Sequence, residues 1–329
     1  MIRDARHWES LENNKVRCRL CPADCLLAES KTGICGCRTN IDGKLMVDNY
    51  GEIVSAAYDP IEKKPLYHYY PGSMIFSTGP NGCNLGCENC QNWEISQMKV
   101  PTRYLAPSDL AVLAGKSGSI GVAYTYSEPL IWFEYILDAA SAVRDKGLKN
   151  VIVSNGYINP DPLKELIPSI DAANIDLKSM RPDFYKKICK GQLEPVKETI
   201  ECLYRAKIHL EITNLVIPGL NDAISDFEQI TDFLAGLSDK IPLHFSAYYP
   251  TYKMTRPRTP TETLLKAYDI ARNKLKFVYL GNVNVPGKSD TLCPQCGRAL
   301  IKRNYYNIEI AGLTGGDCSF CKYKTGIVY

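Results

Sequence analysis

Residues 73–93 read "SMIFSTGPNGCNLGCENCQNW", a short apolar run followed at once by three cysteines, Cys83, Cys87 and Cys90, spaced C-x3-C-x2-C. Working outward, the run at 73–79 is the first of seven. The others are "SIGVAYTY" (119–126), "NVIVSNG" (150–156), "AANIDLK" (172–178), "LEITNLVI" (210–217), "PLHFSAYY" (242–249) and "FVYLGNV" (277–283). Helix-like stretches separate most of them. In "PLIWFEYILDAASAVRDKG" (129–147), Ile131, Tyr135, Ile136, Ala139 and Val143 recur at helical spacing between Pro129 and Gly147, and that face reads as core. Strand–helix alternation over six or seven units predicts an α/β fold with a parallel sheet, a partial (β/α)6 TIM-like barrel. In such folds ligands sit beyond the carboxyl ends of the strands. The polar strand ends and the cysteine loop all fall there, so the chemistry is expected at one mouth.

The chain has 329 residues, 45% hydrophobic and 23% charged, the proportions of a globular protein. Lys and Arg number 39 against 36 Asp and Glu, and the net charge of +3 gives no field that would gather a nucleic acid. The opening "MIRDARHWESLENNK" has no apolar h-region, and no apolar run approaches the about 20 residues that cross a bilayer. A cytoplasmic protein with no membrane partner is expected. Of fourteen cysteines, twelve fall in three tight groups, at 18–37, 83–90 and 293–321. In a long chain without an export signal, such grouping predicts metal rather than disulfides. Cys189 and Cys202 stand alone in helical stretches and read as small buried hydrophobes.

The central group stops at three ligands, where tetrahedral zinc and four-iron clusters usually take four. Three thiolates leave one iron of a four-iron cluster open, and a small molecule can bind there. Gly82 and Gly86 permit the tight turns that bring the sulfurs to one side. A structural zinc loop is the alternative for the spacing taken alone.

A C-x3-C-x2-C loop after the first strand of a partial barrel resembles the radical S-adenosylmethionine (SAM) superfamily. The resemblance implies a [4Fe-4S] cluster on Cys83, Cys87 and Cys90, with SAM chelating the open iron through its amine and carboxylate. It also implies reductive cleavage of SAM to methionine and a 5′-deoxyadenosyl radical. The strand ends resemble the pyruvate formate-lyase activating enzyme branch. "YSEP" (126–129) stands where that branch has a Gly-Gly-Glu-Pro-like segment, which implies SAM contacts for Ser127 and Glu128, with Tyr126 and Ser127 replacing the glycines. "SNG" (154–156) marks Asn155. "DLK" (176–178) marks Asp176 and Lys178, which alternation puts on one face as partners for a zwitterion. A histidine of the branch that contacts SAM corresponds to Ser246, or to His244 one pleat earlier. Asn89 takes the place of an aromatic that packs on adenine in many members, leaving its backbone for the adenine edge, and Gln91 is a further cofactor contact. Over nearly the whole chain, "CRLCPADC…GICGCR", "DPIEKKPLYHYYPGS", "GCNLGCENCQNWEISQ" and "CPQCGRALI…GDCSFC" follow the order of the AmmeMemoRadiSam-system radical SAM enzymes.

The expected layout is an N-terminal Cys-rich metal-binding region and linker (1–72), the barrel (73–285) and a zinc-ribbon-like domain (286–329). Cys293, Cys296, Cys318 and Cys321 have the two-knuckle spacing of a zinc ribbon, with a rubredoxin-like iron site as the lesser alternative. Cys18, Cys21, Cys25 and Cys35, with Cys37 spare, suit zinc or a second four-iron cluster, and the distant fourth ligand inclines the reading to zinc. The leading function is reductive SAM cleavage and hydrogen abstraction from a small-molecule or peptidyl substrate, with a low-potential flavodoxin or ferredoxin as reductant. One alternative is an activase that makes a glycyl radical on a partner protein. Another is a non-enzymatic iron-sulfur and zinc module for electron transfer or RNA binding. Tyr67, Tyr69, Tyr70, Tyr126, Tyr248 and Tyr249 are expected to wall the mouth.

Overall fold

Eight strands form the central sheet of the computed structural model, which describes residues 1–329. They are β1 (Ser55–Pro60), β2 (Met74–Gly79), β3 (Ser119–Tyr124), β4 (Lys149–Ser154), β5 (Ala172–Asp176), β6 (His209–Val216), β7 (Leu243–Ala247) and β8 (Val278–Gly281). β2 to β8 are parallel and lie side by side in chain order, while β1 pairs antiparallel with β2. The helices α1 (Pro107–Ala114), α2 (Phe133–Arg144), α3 (Pro160–Leu166), α4 (Glu194–Arg205), α5 (Ile224–Leu237) and α6 (Thr261–Arg272) fill the six gaps between parallel strands. Six strand–helix units are thus present as expected, with a seventh parallel strand that no helix follows. β1 and β8 are not paired, so the sheet remains open.

Period-two alternation sends successive side chains of each strand to opposite faces. Outward residues such as Phe76, Ile152, Ile175, Ile212 and Phe245 join Leu110, Ile136, Val143, Ile200 and Phe227 of the helices in one core. Each such side chain, fully buried, stabilises the fold by about 1.5–3 kcal/mol. In α2 the face read from spacing is the buried one: Tyr135, Ile136, Ala139 and Val143 have no exposed surface. Ile131 precedes that helix in a 3₁₀ turn and packs instead on Cys35 and Cys37.

The inner face is filled from an unexpected source. Ile61, Leu66 and Tyr69 of the linker pack on Ile75, Ala123, Val151 and Ala172 of β2 to β5. Asn174 Nδ2 donates to Pro65 O at 2.8 Å, and His68 N donates to Glu211 Oε1 at 2.7 Å. The ribbon then seals the linker from below. Tyr70 N donates to Val328 O and Val328 N to His68 O, both at 2.8 Å, and Arg303 donates to Tyr67 O at 2.7 Å. Residues 55–72 therefore belong physically to the sheet, and the expected boundary at 72 falls inside it.

Outside the sheet, residues 1–54 form two three-stranded sheets. The C-terminal segment is built on a hairpin of Ala299–Asn304 and Asn307–Ile310. No helix is long and apolar enough to cross a membrane.

Candidate functional site

The carboxyl ends of β2 to β8 surround a cavity of about 460 Å³. The loop after β2 brings Cys83, Cys87 and Cys90 to its wall. Gly79, the last residue of β2, leaves no room for a side chain, since a Cβ there would stand 2.0 Å from Thr125 O. Leu85 N donates to Cys83 Sγ at 3.4 Å, Asn155 Nδ2 reaches the same sulfur at 3.6 Å, and Cys90 Sγ lies 3.1 Å from Ser96 Oγ. The back of the loop rests on the π-helical turn Tyr185–Cys189: Gly86 N donates to Cys189 O and Glu88 N to Ile188 O. The buried Cys189 thiol neighbours Cys87 and lowers the Cys87 pKa. Isolated in its stretch, Cys189 reads as packing; the fold makes it a sulfur neighbour of the loop.

Eight of the nine expected cofactor contacts line this cavity: Asn89, Gln91, Ser127, Glu128, Asn155, Asp176, Lys178 and Ser246. Lys178 Nζ donates to Asp176 Oδ2 at 2.9 Å. Burial opposes the charge on Lys178, but the Asp176 carboxylate and the Cys87 and Cys189 sulfurs hold its pKa well above the ordinary value. Glu128 is 1% exposed and accepts hydrogen bonds from Leu130 N, Ser154 Oγ and Asn155 N. Burial still pushes its carboxyl up to about 7. Ser127 Oγ donates to Pro80 O at 2.5 Å. Tyr126, in the place of a glycine, sits at φ +76°, the left-handed region that glycine enters freely.

His244 is a correction. It shares the inner face with Ser246, but its Nε2 donates to Glu211 Oε2 at 2.7 Å and its ring lies edge-on to Tyr67, with centroids 4.7 Å apart. It is 3% exposed and does not line the cavity. The linker fills the concave side at its depth. The tyrosine wall is corrected likewise. Tyr67 and Tyr69 belong to the packed interior, Tyr248 is buried and donates to Met254 O, and Tyr249 donates to Asn282 O. Of the six only Tyr126 lines the cavity, joined by the unanticipated Tyr306 of the ribbon hairpin and by Lys63 and Lys64. Both lysines pair with Asp59, at 2.8 and 2.7 Å. The spacing of "DPIEKK" gives that pairing locally, yet not the place where it docks.

The C-terminal cysteines form a different kind of site. Cys293, Cys296, Cys318 and Cys321 bring their sulfurs within 4.8 Å of one another, the one group in the chain that does so. Cys293–Cys321 and Cys296–Cys318 are 3.5 and 3.7 Å apart. Zn–S bonds of about 2.3 Å in a tetrahedron place sulfurs about 3.8 Å apart, so the set fits one tetrahedral ion. After each knuckle the chain turns through positive φ, at Gly297 (+71°) and Lys322 (+63°).

The mouth fits an iron-sulfur cluster with a bound zwitterion. Its three thiolates stand further apart than a single ion requires. The acid–base pair Asp176–Lys178 lies on the same wall, and the buried Asn89 Oδ1, 7% exposed as a residue, has no hydrogen-bond partner. Fold and site together define a parallel α/β protein with an open-coordination metal loop at the mouth of a curled sheet. The radical SAM superfamily model matches residues 78–234, and the chain belongs to that superfamily. An uncharacterized protein of Methanocaldococcus jannaschii is 43% identical over 99% of this chain and 100% of its own length. The pyruvate formate-lyase-activating enzyme of Clostridium pasteurianum is 20% identical over 51% of this chain and 72% of its own. Among solved structures, a radical SAM methyltransferase from Sphaerobacter thermophilus matches with a TM-score of 0.54 at 12% identity, over 85% of this chain and 76% of that one. That likeness concerns the fold.

Proposed function

We propose that this chain is a radical SAM enzyme that binds SAM at the mouth cavity and takes hydrogen from a small-molecule or peptidyl substrate. The observation that carries the reading is the meeting, on one cavity wall, of Cys83, Cys87 and Cys90 with Asp176, Lys178 and the unpaired Asn89 Oδ1. When bound, a [4Fe-4S] cluster and SAM supply the electron and the 5′-deoxyadenosyl radical of the superfamily's chemistry. The three cysteines are the thiolate ligands. Asp176 and Glu128 face the SAM amine and Lys178 its carboxylate, each as a charge-assisted hydrogen bond worth about 1.5–3 kcal/mol. Asn89 receives the adenine amine, and Ser127, Asn155, Gln91 and Ser246 complete the lining. Lys63, Lys64, Tyr126 and Tyr306 are left to meet the substrate. The C-terminal four cysteines hold zinc as a structural staple. A low-potential flavodoxin or ferredoxin is the reductant, and a reducing cytoplasm suits fourteen cysteines none of which is in a disulfide.

Superfamily membership sets aside the non-enzymatic reading. An activase reading draws on the activating-enzyme relatives, which align with about half of this chain or less. The test is anaerobic reconstitution, reduction, and assay of 5′-deoxyadenosine from SAM. Formation of 5′-deoxyadenosine supports the proposal, and its complete absence from a cluster-loaded protein overturns it. A glycyl doublet in electron paramagnetic resonance on a partner protein assigns the activase.

A further inference from the structure

Cys18, Cys21, Cys25 and Cys35 line a small apolar hollow together with Leu20, Ile34, Arg38 and Ile131. Cys37 does not line it; its thiol donates to Cys35 Sγ at 3.5 Å from outside. Unlike the ribbon set, no three of these sulfurs lie within 4.8 Å of one another. Four thiolates on a single tetrahedral ion cannot stand so far apart, because Zn–S bonds of about 2.3 Å hold them about 3.8 Å from each other. Thiolates on four corners of an iron-sulfur cubane do stand further apart, since the iron and sulfide atoms fill the space between them.

Arg38 is the second, independent observation. It is 1% exposed, and its Nη2 forks onto both oxygens of Glu134 at 2.7 Å. Its buried Nε has no hydrogen-bond partner, and Arg38 is one of the residues lining the hollow. A buried guanidinium N–H left unsatisfied costs about 1–3 kcal/mol unless an acceptor is supplied. Cluster sulfide and cysteinyl sulfur are such acceptors. A four-iron cluster with four thiolates also carries negative charge in excess of a neutral site, which the guanidinium offsets.

We propose that Cys18, Cys21, Cys25 and Cys35 hold a second four-iron, four-sulfide cluster, with Arg38 and Cys37 as outer hydrogen-bond donors to it. The sequence inclines to zinc at this group, and the sulfur spread reverses that. The site also abuts the mouth loop: a Cβ on Gly82 would lie 2.3 Å from Cys35 O, so the residue before Cys83 rests on a ligand of the N-terminal group. That position makes the N-terminal cluster a relay. It accepts one electron from an external low-potential one-electron donor and returns to its oxidised state by passing that electron to the Cys83 site.

The assignment of the site does not rest on what the mouth binds. The experiment is iron, sulfide and zinc analysis of the anaerobically reconstituted full chain, beside a variant with Cys83, Cys87 and Cys90 all replaced by Ala. The expected result is about eight irons and one zinc per wild-type chain. The triple variant should keep about half of the iron and, after reduction by a low-potential one-electron donor, give a paramagnetic signal that SAM leaves unchanged. Half that iron in the wild type with a second zinc, or a triple variant with zinc and no iron, overturns the site. Iron that the donor cannot reduce overturns the relay. Should the triple variant fail to fold, the wild-type metal count decides alone. Wild type that holds both clusters but leaves SAM intact would refute the mouth reading and not this one.

Discussion

Along β5, β6 and β7 the mouth and the floor of the sheet can be compared residue for residue. Asp176, Thr213 and Ser246 line the cavity; Asn174, Glu211 and His244, each two residues earlier on the same inner face, do not. The separation is one pleat, about 6.6 Å. At the mouth the polar residues also border open space, and those on the floor meet only protein. Asn174 is tied to Pro65 O and to Thr213, while Glu211, with no exposed surface, accepts from His68 N, His209 Nε2 and His244 Nε2. Whether an inward polar residue serves a ligand or the fold is decided here by the linker, which fills the lower half and stops short of the upper.

Replacing Cys83, Cys87 and Cys90 by Ala breaks the mouth alone. SAM cleavage should fall to the uncatalysed level while thermal unfolding of the apo chain changes little, by product assay and calorimetry. Glu211→Ala breaks the floor alone. It strands three donors, two of them buried, and should lower stability by about 3–5 kcal/mol in urea titration, with the mouth cluster's absorbance retained in the folded protein. A Glu211→Ala chain of unchanged stability would dissolve the distinction.

Smaller effects sharpen the comparison within the mouth. Asp176→Ala and Lys178→Ala should each weaken SAM binding by about 1.5–3 kcal/mol, roughly 10- to 150-fold in calorimetric Kd, without loss of cluster absorbance. The smallest effect is the pH dependence of binding through Glu128. Its carboxyl, raised to about 7 by burial, is protonated below that pH and pairs with an ammonium only above it. SAM affinity should therefore rise about tenfold from pH 6 to pH 8, and Glu128→Gln should flatten the profile. A slope unchanged in that variant would assign the titration to another group.

The sequence shows the seven parallel strands to within a few residues, because each is a short apolar run with a polar end. It shows the three cysteine groups because their spacing is local. It misses β1, whose "SAAYDP" lacks an apolar period, and it cannot tell His244 from Ser246, since alternation specifies a face and not a depth. Depth depends on the linker, and the linker's place depends on the ribbon, which lies more than 200 residues further along the chain. Tyr306 reaches the mouth by the same long-range route, and Cys189 meets the cysteine loop from behind, about 100 residues further along the chain.

The strap of Tyr67 to Tyr70 between the sheet and Val328 has a consequence for how the protein is made. The linker leaves the ribosome early, but the segment at Val328 that covers it follows about 250 residues later. At about 5–20 residues per second the nascent linker waits roughly 10–50 s, with its aromatic side chains open to water or to other chains. During that wait the growing protein is most exposed to wrong association. Metal capture by the four C-terminal cysteines, a late event in synthesis, then becomes the step that ends the vulnerable period, so starvation for that metal during translation should show first as aggregation of newly made chains rather than as loss of activity in old ones.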